Sequence, residues 1–349
     1  MKLRELDILR AGAILAVVLI HATSQGVGQL PSGTDSHTLY FIVNTLSSFA
    51  VPVFLFVSGL VLFYRYTDKW DGKQIGIFYY RRLRSVLIPY LLCSIAYYFF
   101  RQLLADPITL FFDWKAFVKL LPWGKAYYQL YFMVIIIQFY LLFPIIMTAV
   151  KSSAFIKRHL LTIGWVLQLA FYSYHHWVEP VPHRAALAMT YIALFCSGAW
   201  IGMNYRMVHA WLMRYSGFVL LLTVATGVFY TGMFLQNSIR FDMFWYHLIF
   251  HLYGLAAGLT LIIVGTWVIR KDGWPSKLLT SIGVCSFGIY FTHPGILTLW
   301  RVKVEPPSDL ISYHLYSIAG FFTAFLGAWL LTYSYKRITL MFSKKRTSR

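Results

Sequence analysis

Apolar runs of membrane-crossing length recur along the whole chain, separated by short connectors that hold nearly all of its charge. A hydrocarbon core of ~30 Å takes about 20 mostly apolar residues in a helix. Runs of that kind lie near 8–25, 41–64, 86–105, 128–149, 160–176, 185–203, 216–235, 244–269, 278–300 and 310–334. The pattern predicts an all-α, polytopic integral membrane protein with about ten transmembrane helices in one bundle. The fifth run is the weakest, because it ends in Tyr174, His175 and His176. One connector, 106–127, instead sets Phe111, Phe112, Trp114, Phe117, Leu120 and Leu121 among Asp113, Lys115 and Lys119. It predicts an amphipathic helix in the interface, serving at most as a lid or platform for an extended substrate. No internal repeat or low-complexity stretch divides the chain, which reads as a single transmembrane domain over 1–349, with 336–349 as a basic cytoplasmic tail.

Composition agrees with the pattern: 59% of the 349 residues are hydrophobic and 12% charged, against roughly 25% charged in soluble domains. A net charge of +19 would by itself suggest nucleic acid, but the positions of the charges give it another meaning. With the N-terminus inside, 22 Lys and Arg fall in cytoplasmic segments, including the group Arg65, Lys69, Lys73, Arg81, Arg82 and Arg84 and the tail from Lys336 to Arg349. Seven fall outside, namely Lys115, Lys119, Lys125, Arg184, Arg240, Arg301 and Lys303. Such a bias places both termini in the cytoplasm and excludes a nucleic-acid partner. The N-terminal run is expected to stay as a retained first span, since no small-residue cleavage site follows it. Cys93, Cys196 and Cys285 all lie in apolar runs far from one another, so neither a disulfide nor a CxxC site is expected.

Ionisable groups inside a span cost at least ~2.5 kcal/mol on insertion scales and usually face a cavity. The first run carries three of them. Asp7 and Arg10 are three residues apart and can pair on one helix face. His21 follows Arg10 by eleven residues, which returns it to within ~20° of the same stripe but ~16 Å further along the axis. The two can line one cavity without touching. Of the eleven histidines, nine fall toward the outer side and only His159 and His209 inside, which puts proton-transfer chemistry outward. His247 and His251 are four apart and share a helix face. With only Asp242 nearby as an acidic ligand, a substrate-lining or packing role is preferred to a metal, and no metal is expected. Arg81, Arg82 and Arg84 stand at the cytoplasmic entrance to the third run; they can serve as a topology signal against anionic lipid, or hold phosphates.

Together these residues resemble a known family. Arg10-x10-His21 within RELDILRAGAILAVVLIH is similar to the opening helix of the membrane acyltransferase-3 family, and Arg81-x-x-Arg84 to its second basic motif. Val51-Pro-Val-Phe-Leu-Phe-Val-Ser58-Gly59 and Ser286-Phe-Gly-Ile-Tyr290-Phe-Thr-His293-Pro294 resemble two further signatures. The layout is closest to the branch that modifies the poly-N-acetylglucosamine of intercellular adhesion. It departs at Tyr131, where the family usually has Trp, and in the spacing from Arg84 to Pro89.

The resemblance implies an O-acyltransferase of the bacterial cytoplasmic membrane. It would use acyl-CoA as co-substrate, with no bound cofactor, and acylate a hydroxyl of a cell-surface or exopolysaccharide glycan or its lipid-linked precursor. Arg81, Arg82 and Arg84 would hold the donor phosphates, Arg10 oriented by Asp7 would position the pantetheine or acyl end, and His21 would act as base or acyl carrier. Tyr290, His293, His247, His251 and Ser58 are the acceptor-cavity candidates. Acetyl and succinyl donors both fit. Besides membrane lipids, a polysaccharide synthase or a second copy of the chain would be the partners. The rival readings are a transporter or flippase for a glycan, lipid or small anion, and a non-catalytic synthase partner.

Overall fold

A computed structural model describes residues 3–106, 108, 110–236 and 241–347. Lys2, Arg240 and Arg349, counted in the charge bias, lie outside the described residues. Those described form helices and no strand. In order they are α1 Glu5–Gln29, α2 Asp35–Ser47, α3 Ala50–Tyr66, α4 Gly72–Arg82, α5 Ile88–Ala105, α6 Trp114–Leu120, α7 Tyr131–Ser152 and α8 Ala154–Trp177, followed by α9 Ile192–Met203, α10 Tyr205–Arg214, α11 Ser216–Leu235, α12 Met243–Arg270, α13 Trp274–Lys303 and α14 Leu310–Thr347. The chain is an all-α, polytopic membrane protein.

Eight helical stretches are long and apolar enough to cross a membrane among the described residues. Two of the ten expected spans fall short of that measure. Residues 160–176 lie in α8, whose hydropathy is diluted by Gln168 and by its polar end. In place of 185–203 come 3-10 turns at Arg184–Ala186 and Ala188–Tyr191, then the 12-residue α9. At 1.5 Å per residue α9 alone is ~18 Å long, short of the ~30 Å core. The amphipathic helix expected over 106–127 is also shorter. Its described residues form α6, capped by Asp113 on the Ala116 N–H at 3.0 Å, with Phe117 buried against Phe112 and Tyr98, and then a 3-10 turn at Leu121–Trp123.

Two proline-linked breaks interrupt long helices. Pro52 has no N–H to give the Ser48 carbonyl, and the ladder breaks at Ser48–Phe49 between α2 and α3. Pro89 likewise leaves Ser85 without its helical donor, and Leu83–Leu87 relaxes into a π turn between α4 and α5.

The chain clusters into two compact units. The first comprises Met1–Phe54, Leu212–Phe241 and Leu248–Arg349; the second comprises Leu55–Trp211 and Asp242–His247. Apolar side chains gain little by leaving lipid for one another, so close packing must hold such helices together. In the first unit, α1 runs between α12 and α13 at backbone contact. A methyl group on Gly283 would overlap the Asp7 carbonyl oxygen, and one on Gly265 the Glu5 carbonyl oxygen. In the second unit, methyls on Gly198 and Gly202 of α9 would overlap the Phe56 and Leu60 carbonyls of α3, the small-x-x-x-small seam of membrane helices. Polar side chains fasten the entry to α9. Gln138 donates to the Ala186 carbonyl and accepts from the Ala188 N–H, both at 2.8 Å, while Gln168 accepts from the Ala193 N–H at 3.0 Å.

Candidate active site

In the first unit, α1 carries Asp7, Arg10 and His21 on uninterrupted helix. Asp7 is 2% exposed, and Arg10 Nη1 donates to its Oδ1 at 3.0 Å. The Arg10 side chain stays 28% exposed, while the Gly283 contact seats the Asp7 backbone directly on α13. His21 lies eleven residues further on, ~16 Å along the axis.

The His21 ring stacks on His293 of α13, with centroids 5.4 Å apart and planes 28° from parallel. His293 is fully buried, and its Nδ1 lies 2.8 Å from the Ile289 carbonyl oxygen. A carbonyl can only accept, so Nδ1 carries the proton and Nε2 is the acceptor in the neutral ring. Among the described residues no hydrogen-bond partner meets that Nε2. Tyr290 is buried one turn away, its ring 6.5 Å from that of His293.

The turn that carries His21 is held by polar groups from three helices. Its carbonyl accepts from Ser24 Oγ at 2.8 Å and from Arg301 Nη2 at 2.6 Å. Asn44 of α2 donates to the Ile20 carbonyl at 2.8 Å and to Thr23 Oγ1 at 3.0 Å. Tyr316 of α14 donates to Gln25 Oε1 at 3.3 Å. Arg301 and Asn44 escaped the sequence reading. Arg301 counted there only as a loop charge, because the ninth run was ended at 300, whereas α13 continues to Lys303. Asn44 had a visible signal, as an amide inside an apolar run.

The other residues singled out from the sequence fall elsewhere. His251 belongs to the first unit and is fully buried, edge-on to Phe250 with centroids 5.0 Å apart. Arg81, Arg82, Arg84, Ser58 and His247 belong to the second unit. Arg81 and Arg82 close α4, where the carbonyl end of the helix favours cations, and Arg84 stands in the π turn. Arg81 and Arg84 are exposed. Arg82 is spent on packing, its guanidinium carbon 4.5 Å from the Tyr140 ring centroid and 5.2 Å from that of Phe78. Ser58 is half-buried one residue before Gly59, which itself meets the Phe195 carbonyl. His247 stacks on Tyr172 at 4.7 Å.

Chemically, the first unit offers a part-buried acid–guanidinium pair and, further along the same helix, an imidazole in contact with that of His293 on α13. Such a set can bind an anionic or polar group at one level and move a proton at the other. A family model described as an acyltransferase domain, acyltransferase 3, matches residues 3–333. A protein of Staphylococcus aureus strain MSSA476, named a probable poly-beta-1,6-N-acetyl-D-glucosamine export protein, is 27% identical over 303 residues, covering 84% of this chain and 82% of its own. A protein of the same name from Staphylococcus epidermidis is 24% identical over 311 residues, covering 84% and 81%. No solved structure matches the chain.

Proposed function

Because the chain belongs to the acyltransferase-3 family, we propose that it is a multi-pass O-acyltransferase of the bacterial cytoplasmic membrane that modifies an exopolysaccharide glycan or its lipid-linked precursor. The donor is a cytoplasmic acyl-CoA carrying acetyl or succinyl. The observation that carries this reading is the contact of His293 with His21, whose helix α1 also bears the Asp7–Arg10 pair.

In this reading the His21 imidazole takes the proton of the sugar hydroxyl as its oxygen attacks the thioester carbonyl. The C–S bond breaks, CoA leaves as thiolate, and the imidazolium returns the proton to sulfur. A relay fits the same groups: His21 attacks the thioester carbonyl, the C–S bond breaks and CoA leaves as thiolate. The sugar oxygen then attacks the acyl-imidazole, the C–N bond breaks to free the His21 ring, and the hydroxyl proton passes to the thiolate. His293 keeps its own proton on Nδ1 toward Ile289, so it supports the neutral His21 ring by stacking. Arg10, steadied by Asp7, faces the acyl or pantetheine end of the donor, and Arg81 and Arg84 hold its phosphates by paired, charge-assisted bonds. A polysaccharide synthase or a second copy of the chain is the natural partner for an enzyme that acts on a growing glycan.

A second reading is favoured by the names of the two staphylococcal relatives, probable poly-beta-1,6-N-acetyl-D-glucosamine export proteins. Movement of a glycan across the membrane would use the same intramembrane charges without acyl transfer. Two measurements separate the readings. Purified protein given acyl-CoA is expected to release free CoA only when a glycan acceptor is present, and polysaccharide from cells lacking the protein is expected to lose an acyl mass. Unchanged polysaccharide mass, with no CoA released and glycan retained inside the cell, would replace the acyltransferase reading by export.

A further inference from the structure

Where α8 ends and α12 begins, the second unit holds a cavity of about 230 Å³ lined by Tyr172, His175, His176, Arg184, Phe244 and His247, among others. It lies below the ~300–1,000 Å³ of pockets that bury a drug-sized ligand, so it has room for one small unit. Its floor is the buried Tyr172, on whose ring His247 stacks at 4.7 Å and near which the Arg184 guanidinium carbon lies 6.0 Å from the centroid. On the rim, Trp177 stacks on Phe244 at 5.1 Å.

The charges around this space are one-sided. Two carboxylates stand near, and both are engaged. Asp242 accepts the Phe244 N–H on Oδ1 and His176 Nε2 on Oδ2, each at 2.8 Å, and these contacts, the backbone one first, hold its carboxyl below the usual range. Glu179 Oε2 accepts the Tyr174 hydroxyl at 3.3 Å. Among the described residues no carboxylate pairs with the Arg184 guanidinium. His175 Nδ1 accepts the Val181 N–H at 2.8 Å, which puts its proton on Nε2 and makes that atom a donor. A guanidinium and a ring N–H therefore remain beside an aromatic floor with no anion of the protein to satisfy them.

We propose that this cavity is a binding site for an oxyanion, a carboxylate or a phosphate, carried on a sugar-sized unit. Arg184 supplies the paired donors that planar oxyanions take, His175 adds a third, and Tyr172 with Phe244 flanks the ring or chain that bears the charge. The site takes no part in the acyl transfer proposed above and stands or falls separately from it.

The test is calorimetric titration of the full-length protein in nanodiscs with glucuronate, N-acetylglucosamine 1-phosphate and uncharged N-acetylglucosamine. At least one charged probe binds with one-to-one saturation and the neutral sugar binds about tenfold or more weakly. The stronger charged arm tells carboxylate from phosphate. Arg184→Gln lowers charged-probe affinity about tenfold or more, whereas Arg184→Lys, which keeps the charge, loses less. Circular dichroism of each variant confirms that it is folded. Binding by the His21→Ala protein reads the cavity independently of any acyl transfer. Equal binding of charged and neutral sugars, no binding by the folded protein, or full affinity in folded Arg184→Gln would each overturn the assignment.

Discussion

In the first unit, Asp7, Arg10 and His21 ride one uninterrupted helix, whereas Arg81, Arg82 and Arg84 of the second unit stand where helix gives way to a π turn. The difference suits the roles proposed for each set. A straight helix fixes the height of every side chain at ~1.5 Å per residue, so the stacked imidazoles and the acid–guanidinium pair keep a set separation. A π turn has given up that regularity, and the exposed Arg84 in it, beside Arg81 at the end of α4, suits the proposed capture of a polyanion. In the proposed function, chemistry that needs fixed depth is built on regular backbone, and capture of a mobile ligand beside irregular backbone.

Three substitutions break or sharpen this contrast. The largest effect is expected at the fixed-depth end: His21→Ala removes the proton acceptor and should lower acyl transfer by about 10²–10⁴-fold, measured as CoA release from protein of normal membrane insertion. Normal turnover by that variant would remove His21 from the mechanism. At the capture end, Arg84→Ala should raise the KM for acyl-CoA about tenfold while kcat holds, as loss of one charge-assisted contact to phosphate requires. A fall in kcat at unaltered KM would place Arg84 in the chemistry instead. The smallest effect is expected at Arg301→Gln, which keeps a donor toward the His21 carbonyl but removes the charge. It should lower kcat severalfold, with recovery in Arg301→Lys, since a charge-assisted bond reduced to a neutral one is worth about 1 kcal/mol less. Identical rates in all three proteins would make Arg301 a bystander.

Legibility in the sequence followed the range of the interactions involved. The half-buried α7 and the mostly outward-facing α11 both showed as unbroken apolar runs because hydropathy is a local property. The Asp7–Arg10 contact is equally local, being one turn of one helix. Residues 185–203 hold an apolar helix, Ala188–Met203, shorter than the expected span, and Ala186, Leu187 and Ala188 stand at its start. They line a looped entry whose backbone groups are met by Gln138, and composition cannot distinguish such a loop from a span. The stacking of His21 on His293 joins positions 272 residues apart, and that of His247 on Tyr172 joins two helices separated by three others. Neither leaves a trace in local spacing. Arg301 was hidden by a boundary misjudged by three residues, enough to turn a helical anchor into a connector charge.

The glycines under α1 have a consequence for access. Where Gly283 and Gly265 bring α13 and α12 onto the carbonyls of Asp7 and Glu5, two flanks of the helix are closed at atomic contact in its first turn. In the proposed function, a thioester that follows α1 toward His21 passes on a flank other than these two glycine seams. Bulky probes attached there, and not along the glycine seams, should be the ones that obstruct its passage.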